Sequence, residues 1–465
     1  MPQSGSRSLP GNVGDARPQG LFGLSLVGGA AVESRGPRLR FSRLGSEIPS
    51  LTREQQIRLA VLRVFSDRAD ERIFESLSPR DWQRLLCWLD LSGLALYFFD
   101  RIAKSERADL LPDEVFSALE RRLIENAQRT RSMIAESIAI QRGFQASGVN
   151  YAIVKGLSLW PNAVSNPELR LQFDLDYLVA EEDLRAAQNV LTGIGYQPRV
   201  SSEDCLKFIR NEQRCLTLRN VYKDTGSWAV ELRAAPAALE AASPLSRLER
   251  RELFGLSTPT LSPVEVFLRQ GLHAYKDVCS QFFRLALLVE FYRHVLSYRD
   301  NDAFWTALRG EANENPRAAL ALGVVTLLIA QVIGDFAPEA LTHWTVDQLP
   351  RPARLWVTTY GRRIVLSSFP GSKLYRLLTS EIGAEETATE GSRGRPPVSP
   401  RLGPSAKLDS PREAFSARLM RFIRMIPYRT QLDLMPNRLR FYSVEAARLA
   451  WETHRWRRLL AQGSR

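Results

Sequence analysis

The chain has 465 residues, is 44% hydrophobic and 25% charged, and carries a net charge of +12. That length can hold two or three domains around a large core, and the composition is that of a soluble globular protein, not a fibrous one. Four scattered cysteines without C-x-x-C spacing and four histidines without an H-x-x-x-H pair speak against a disulfide framework and against zinc-hydrolase chemistry, and they fit a reducing cytoplasm.

The excess charge sits at the ends. Residues 1–50 hold six Arg against three acids and residues 412–465 hold twelve Arg against four, leaving +1 of the +12 for residues 51–411. A broad electrostatic footprint for RNA is therefore absent from the body.

Residues 1–50 are rich in Gly, Ser, Pro and Arg and show no sustained periodicity. Their apolar patch LFGLSLVGGAA lies too far in to read as a signal peptide, so the segment is expected to be a disordered basic extension. Over residues 51–145 the apolar positions recur at helical spacing, with Pro79 and Pro112 near helix starts. Residues 146–235 carry the strand signals, with a helix predicted over Glu181–Ile194. A helical domain is predicted over 236–385. Its longest apolar run, residues 318–334, contains Thr326 and Gln331 and falls short of the ~20 residues needed to span a bilayer. It reads as a buried central helix. Residues 386–412 have the Pro/Gly/Ser/Arg composition of a linker. Residues 413–465 read as a basic helical tail in two pieces separated near Pro427 and Pro436. In the first piece Phe415, Leu419, Phe422, Ile423 and Ile426 alternate with Arg418, Arg421 and Arg424. Such a helix either packs back onto the body, the simpler expectation, or makes peripheral contact with an anionic membrane or RNA.

The chemistry is concentrated between residues 150 and 233. In FDLDYLV, Phe173, Leu175, Tyr177 and Val179 alternate with Asp174, Asp176 and Leu178. That period of two predicts a strand with one apolar face and both aspartates on the other, about 6–7 Å apart. Adjacent like charges do nothing for a structural strand, whereas two carboxylates so placed form a cradle for one or two Mg²⁺ ions. WAVELR repeats the alternation and puts Glu231 on the polar face of another strand. Upstream, Asn150–Val154 forms a short apolar run that ends in Lys155-Gly156. A strand that turns into a helix there would aim free N–H groups outward and accept phosphate, with the Lys155 ammonium beside them. Arg170, four residues before Asp174, would share its face.

These residues resemble the motifs of an uncharacterised bacterial nucleotidyltransferase family related to the polymerase-β-type nucleotidyltransferases. Lys155-Gly156, Arg170, Asp174, Asp176 and Gly195-Tyr196 fall on its motif positions, and Glu231 falls on the acid of its E-x-H pattern. His273, Lys276 and Arg284 also match the later helical stretch. The chain departs from the family at Arg233, where a histidine is usual, and at Glu290, where an aspartate is usual. The resemblance spans roughly residues 55–385 and implies an α+β fold, a small mixed-sheet nucleotidyltransferase core flanked by N- and C-terminal helical regions.

It further implies Mg²⁺-dependent transfer of a nucleoside monophosphate from an NTP to a hydroxyl acceptor. Asp174, Asp176 and Glu231 would hold one or two metal ions, with Glu231 helping to deprotonate the acceptor. Lys155, Gly156 and Ser158 would hold the triphosphate, Arg170 would offset transition-state charge, and His273 and Lys276 would face the cleft. RNA, a protein, a sugar phosphate and a small molecule are all open as acceptors. The departures at Arg233 and Glu290 motivate an alternative, a nucleotide-binding module of the same fold without turnover. The basic tails motivate another, a chain tethered to RNA or membrane.

Overall fold

The computed structural model describes residues 51–382, apart from 67–71, 106–107, 203–204, 211–217, 219, 227, 236–242, 281–282, 316 and 370, together with residues 435–462. The expected N-terminal extension, the linker and the amphipathic stretch Phe415–Ile426 lie outside the described residues.

Around the sheet the chain is helical, and the local sequence explains where the helices begin. Helix Pro79–Ser92 starts at a capping box of Ser78 and Asp81, with Pro79 in the first turn where its missing N–H costs nothing. Helix α1 (Asp113–Ala146) follows Pro112 and lies along the sheet.

Seven strands form one mixed sheet in the order β3-β4-β5-β2-β1-β7-β6. The strands are β1 (Tyr151–Val154), β2 (Asp174–Ala180), β3 (Gln197–Ser202), β4 (Cys205–Ile209), β5 (Ala229–Ala235), β6 (Glu249–Leu253) and β7 (Leu256–Thr260). The sheet thus continues past Ala235 into a hairpin, β6–β7, whose second strand runs parallel to β1. Central β2 pairs antiparallel with β1 and parallel with β5. On one face Leu175, Tyr177 and Val179 meet Val230, Leu232 and Phe208, and α1 covers them with Ile140 and Phe144. Each such fully buried side chain contributes about 1.5–3 kcal/mol, so this face fixes the sheet and leaves the other free for polar groups.

The predicted helix after β2 splits in two. Glu181–Asp183 form a 3₁₀ turn, and α2 (Leu184–Gly193) follows. Asp183, at the junction, directs its carboxylate to the Asn150 N–H at 2.8 Å and so gives α2 no side-chain cap.

Beyond the sheet come α3 (Pro263–Val278), α4 (Ala286–Ser297), α5 (Ala318–Val332) and α6 (Arg351–Val365). The apolar run is α5, buried among Phe291, Trp356 and Tyr360 in the largest core cluster. Among the described residues no helix is long and apolar enough to cross a membrane.

The tail helix, α7 (Met435–Ala461), starts one residue before Pro436, a position where proline is tolerated. It packs on the helical layer. Trp456 is buried against Tyr360, and Arg363 donates to Glu452 at 3.0 Å. Ser372 and Arg448 both donate to the buried Glu445.

Candidate active site

Strand register assembles the site. The parallel pairing of β2 with β5 sets Asp176 beside Glu231, and the antiparallel pairing of β4 with β5 sets Lys207 beside Glu231. Side chains alternate along each strand, so Asp174, Asp176 and Glu231 share one face. Their carboxylate oxygens all lie within 4.8 Å of one another. Asp176 is buried, while Asp174 and Glu231 are half-buried.

Three like charges this close are unfavourable unless cations join them, and protein cations do. The Lys155 ammonium donates to Asp176 Oδ1 and lies 3.8 Å from Glu231 Oε2. Arg233 donates to Glu231 Oε2 at 2.9 Å and approaches Asp176 at 3.9 Å, and the Lys207 ammonium lies 3.6 Å from Glu231 Oε1.

Asp176 and Glu231 respond differently. Burial, with the negative charge of Asp174, pushes Asp176 up to about 7 against the pull of Lys155. Burial also works to raise Glu231, but Lys155, Lys207 and Arg233 outweigh it and hold this carboxyl below its usual range.

The backbone aims Lys155 at this cluster. Its φ of 55° and ψ of −159° fall in a region that side-chain-bearing residues rarely adopt, at a cost on the order of 1–3 kcal/mol. Ser158 holds the strained peptide in place, since its N–H and its hydroxyl both donate to the Lys155 carbonyl at 2.7 Å. Gly156 follows with φ +32°, which favours glycine, and a Cβ there would lie 2.2 Å from Gln172 Nε2 and push that side chain aside. The expected helix after Gly156 is instead a single 3₁₀ turn, Gly156–Leu159. Pro161 explains the stop, because the residue before a proline is disfavoured in the helical region. With no α-helix there and the Ser158 N–H already used, the turn does not offer the helix terminus that the sequence suggests. Ser158 itself is buried and supports Lys155.

Arg170 is buried, and its guanidinium is engaged by protein groups. Nε donates to Glu290 Oε1 at 3.0 Å, and Nη1 donates to Gln172 Oε1 at 3.0 Å. Gln172 Nε2 in turn donates to the Asp174 carbonyl at 2.7 Å, and Tyr97 donates to Glu290 at 3.0 Å. This chain of bonds ties α4 to the start of β2. Through Gln172, Arg170 is thus tied to the backbone of Asp174. Glu290 is bonded to Arg170 and Tyr97, and Asp183, beyond the far end of β2, accepts from the Asn150 N–H.

On the helical side, burial together with Lys155, Arg284, Arg170 and Lys276 pushes His273 down to about 3, so its imidazole is neutral at physiological pH. His273 and Arg284 are half-buried and Lys276 is exposed. The Gly195-Tyr196 pair sits across the sheet from the acids, with Gly195 turning at φ +92° and Tyr196 buried in the apolar face.

Lys207 and Gln172 escaped the sequence reading. Lys207 stands in a period-two run with Leu206 and Phe208, a signal too short to stand out, and nothing local marks Gln172.

The donor set fits a hard divalent ion. Three carboxylates with oxygens in mutual reach suit Mg²⁺ or Mn²⁺, and the Lys155 ammonium between Asp176 and Glu231 shows that a cation is accommodated there.

A family model described as "Uncharacterised nucleotidyltransferase" matches residues 78–334, more than half of the chain. No curated protein matches. Among solved structures, a crystal structure of an antigenic nucleotidyltransferase-like protein from Paracoccidioides brasiliensis aligns at 14% identity over 46% of this chain and 97% of that one. Its TM-score of 0.26 is too low to bear on the fold.

Proposed function

Because this chain belongs to the uncharacterised nucleotidyltransferase family, we propose that it transfers a nucleoside monophosphate from an NTP to a hydroxyl acceptor. The observation that carries this reading is the acidic triad, two aspartates on β2 and a glutamate in register on β5, with oxygens within 4.8 Å. Asp174, Asp176 and Glu231 would hold a divalent ion, which would polarise the phosphoryl oxygens and offset their charge.

The protein groups have separable tasks. Lys155, with Lys276 and Arg284, which share its electrostatic influence on His273, supplies cations for the triphosphate. The acceptor oxygen forms a bond to the α-phosphorus while the bond from that phosphorus to the α–β bridging oxygen breaks, and pyrophosphate leaves with the electron pair. The hydroxyl proton passes to Glu231, which its cationic neighbours keep ionised. Arg170 and Gln172 fix the backbone of Asp174, a positioning role. His273, neutral in the cleft, is available as a hydrogen-bond partner without adding charge.

Incubation of the protein with α-phosphate-labelled NTPs, Mg²⁺ and fractionated cell extract tests the reading and reveals the acceptor class. Label should enter one fraction, and Asp174→Asn should abolish the transfer while the protein stays folded. Tight Mg-NTP binding without any transfer would instead favour the nucleotide-binding module. Undiminished transfer by Asp174→Asn would remove the triad from the chemistry.

A further inference from the structure

We propose that Lys155 is a tethered competitor of the divalent ion: it fills the triad when no ion is bound and must release Asp176 when one enters, which couples metal and triphosphate binding through one side chain. The inference rests on the nucleotidyltransferase reading of the site.

Three observations carry it. First, the ammonium lies where a cation shared by two acids would lie, donating to Asp176 and 3.8 Å from Glu231. Second, that placement is built in. The backbone of Lys155 holds a conformation rare for a side-chain-bearing residue, secured by both Ser158 donors and by a glycine packed against Gln172. Third, Lys155 can leave. Its side chain is 29% exposed and is a flexible stem with a point charge, unlike the planar fork of Arg233.

The second cation of the cluster shows the contrast. Lys207 also neighbours Glu231, at 3.6 Å, but from β4, the strand on the side of β5 away from β2 and Asp176. Lys207 therefore adds positive charge near the site, whereas Lys155 occupies the position between the acids. Once displaced, the Lys155 ammonium is free to pair with phosphate, so an entering ion exposes the cation that the triphosphate needs.

Mn²⁺ binding to the full-length protein without nucleotide, followed by electron paramagnetic resonance, tests this. The proteins compared are wild type, Lys155→Met, Lys207→Met and Asp174→Asn, each checked for folding by circular dichroism. Lys155→Met should bind Mn²⁺ about tenfold more tightly than wild type, and Lys207→Met only about twofold, since that change alters charge without removing a competitor. With a non-hydrolysable NTP analogue, the gain in nucleotide affinity caused by Mn²⁺ should shrink in Lys155→Met relative to wild type. Equal tightening in the two lysine variants, or none in Lys155→Met, would overturn the competitor role while leaving an Asp174-dependent metal site standing. Failure of every protein to bind Mn²⁺ would overturn both this inference and the metal site beneath it.

Discussion

Asp90 and Asp176 are both buried aspartates, and they are neutralised in opposite ways. Asp90 is gripped by Arg122, which donates to its two oxygens at 2.9 Å each, and by the Tyr222 hydroxyl at 2.8 Å. Every partner is a protein group held in place by packing. Asp176 instead shares its surroundings with two further acids and is paired with an ammonium on the unbranched stem of Lys155. A closed pair with a planar fork serves the fold, because its geometry has nothing to exchange. An open cluster of acids around a flexible cation suits a place where cations are traded. The Arg170–Glu290 pair lies between these two kinds: buried like Asp90–Arg122, yet engaging only one Glu290 oxygen and bonded through Gln172 to the strand that carries the triad.

Asp176→Asn and Asp90→Asn test that contrast most severely. On the proposed reading the first should lower label transfer by more than about a thousandfold with little loss of thermal stability, since it would remove a ligand of the divalent ion and relieve like-charge crowding. The second should leave the chemistry of the folded fraction intact but destabilise the protein by about 3 kcal/mol, because Arg122 is left without its partner. Denaturant melts beside activity assays separate the two, and a loss of stability in Asp176→Asn as large as in Asp90→Asn would break the comparison.

Glu231→Gln sharpens the same contrast within the cluster. We expect the maximal rate to fall about a hundredfold while NTP affinity changes much less, because Asp174, Asp176 and Lys155 remain. Steady-state kinetics over a range of NTP concentrations gives both numbers.

The smallest effect is in pH and lies in the helical layer. Burial pushes His294 down to about 3, and its Nδ1 shares a hydrogen bond with Gln270. The unfolded chain takes up a proton below about pH 6.5 that the folded chain refuses, so this contribution to stability is complete above pH 6.5 and is lost as pH falls toward 3. Urea melts at pH 7 and pH 5 should show wild type losing roughly 2 kcal/mol more than His294→Gln over that interval. Equal losses would show that His294 is protonated in the folded protein.

Much of this was readable in the sequence because it depends on local periodicity. The alternation in FDLDYLV identified β2 and its acid face, WAVELR identified β5, and the apolar run 318–334 identified the buried α5. What local pattern cannot supply is register. Nothing in residues 174–180 says that β5 lies alongside in parallel, with Asp176 opposite Glu231 and the β3–β4 hairpin continuing the sheet beyond it. Lys207 enters the site only through that pairing. Arg170 was legible as a cation near the acids, but its partner is 120 residues away on another element. The turn after Gly156 was read as a helix because glycine marks the start of one, and the stop imposed by Pro161 outweighed that signal.

The docking of α7 also has a consequence for the order of events during synthesis. Tyr360, Arg363 and Glu381, which receive Trp456 and Glu452, leave the ribosome well before those partners do. Residues 383–434 and most of α7 must emerge before the indole can reach its slot. The acids and Lys155 all precede that moment, so the sheet can form on the nascent chain while the helical layer still waits for its closing segment. A message truncated before α7 would thus yield a protein with its chemical groups assembled and an apolar slot beside Tyr360 open to solvent, the kind of surface that chaperones bind.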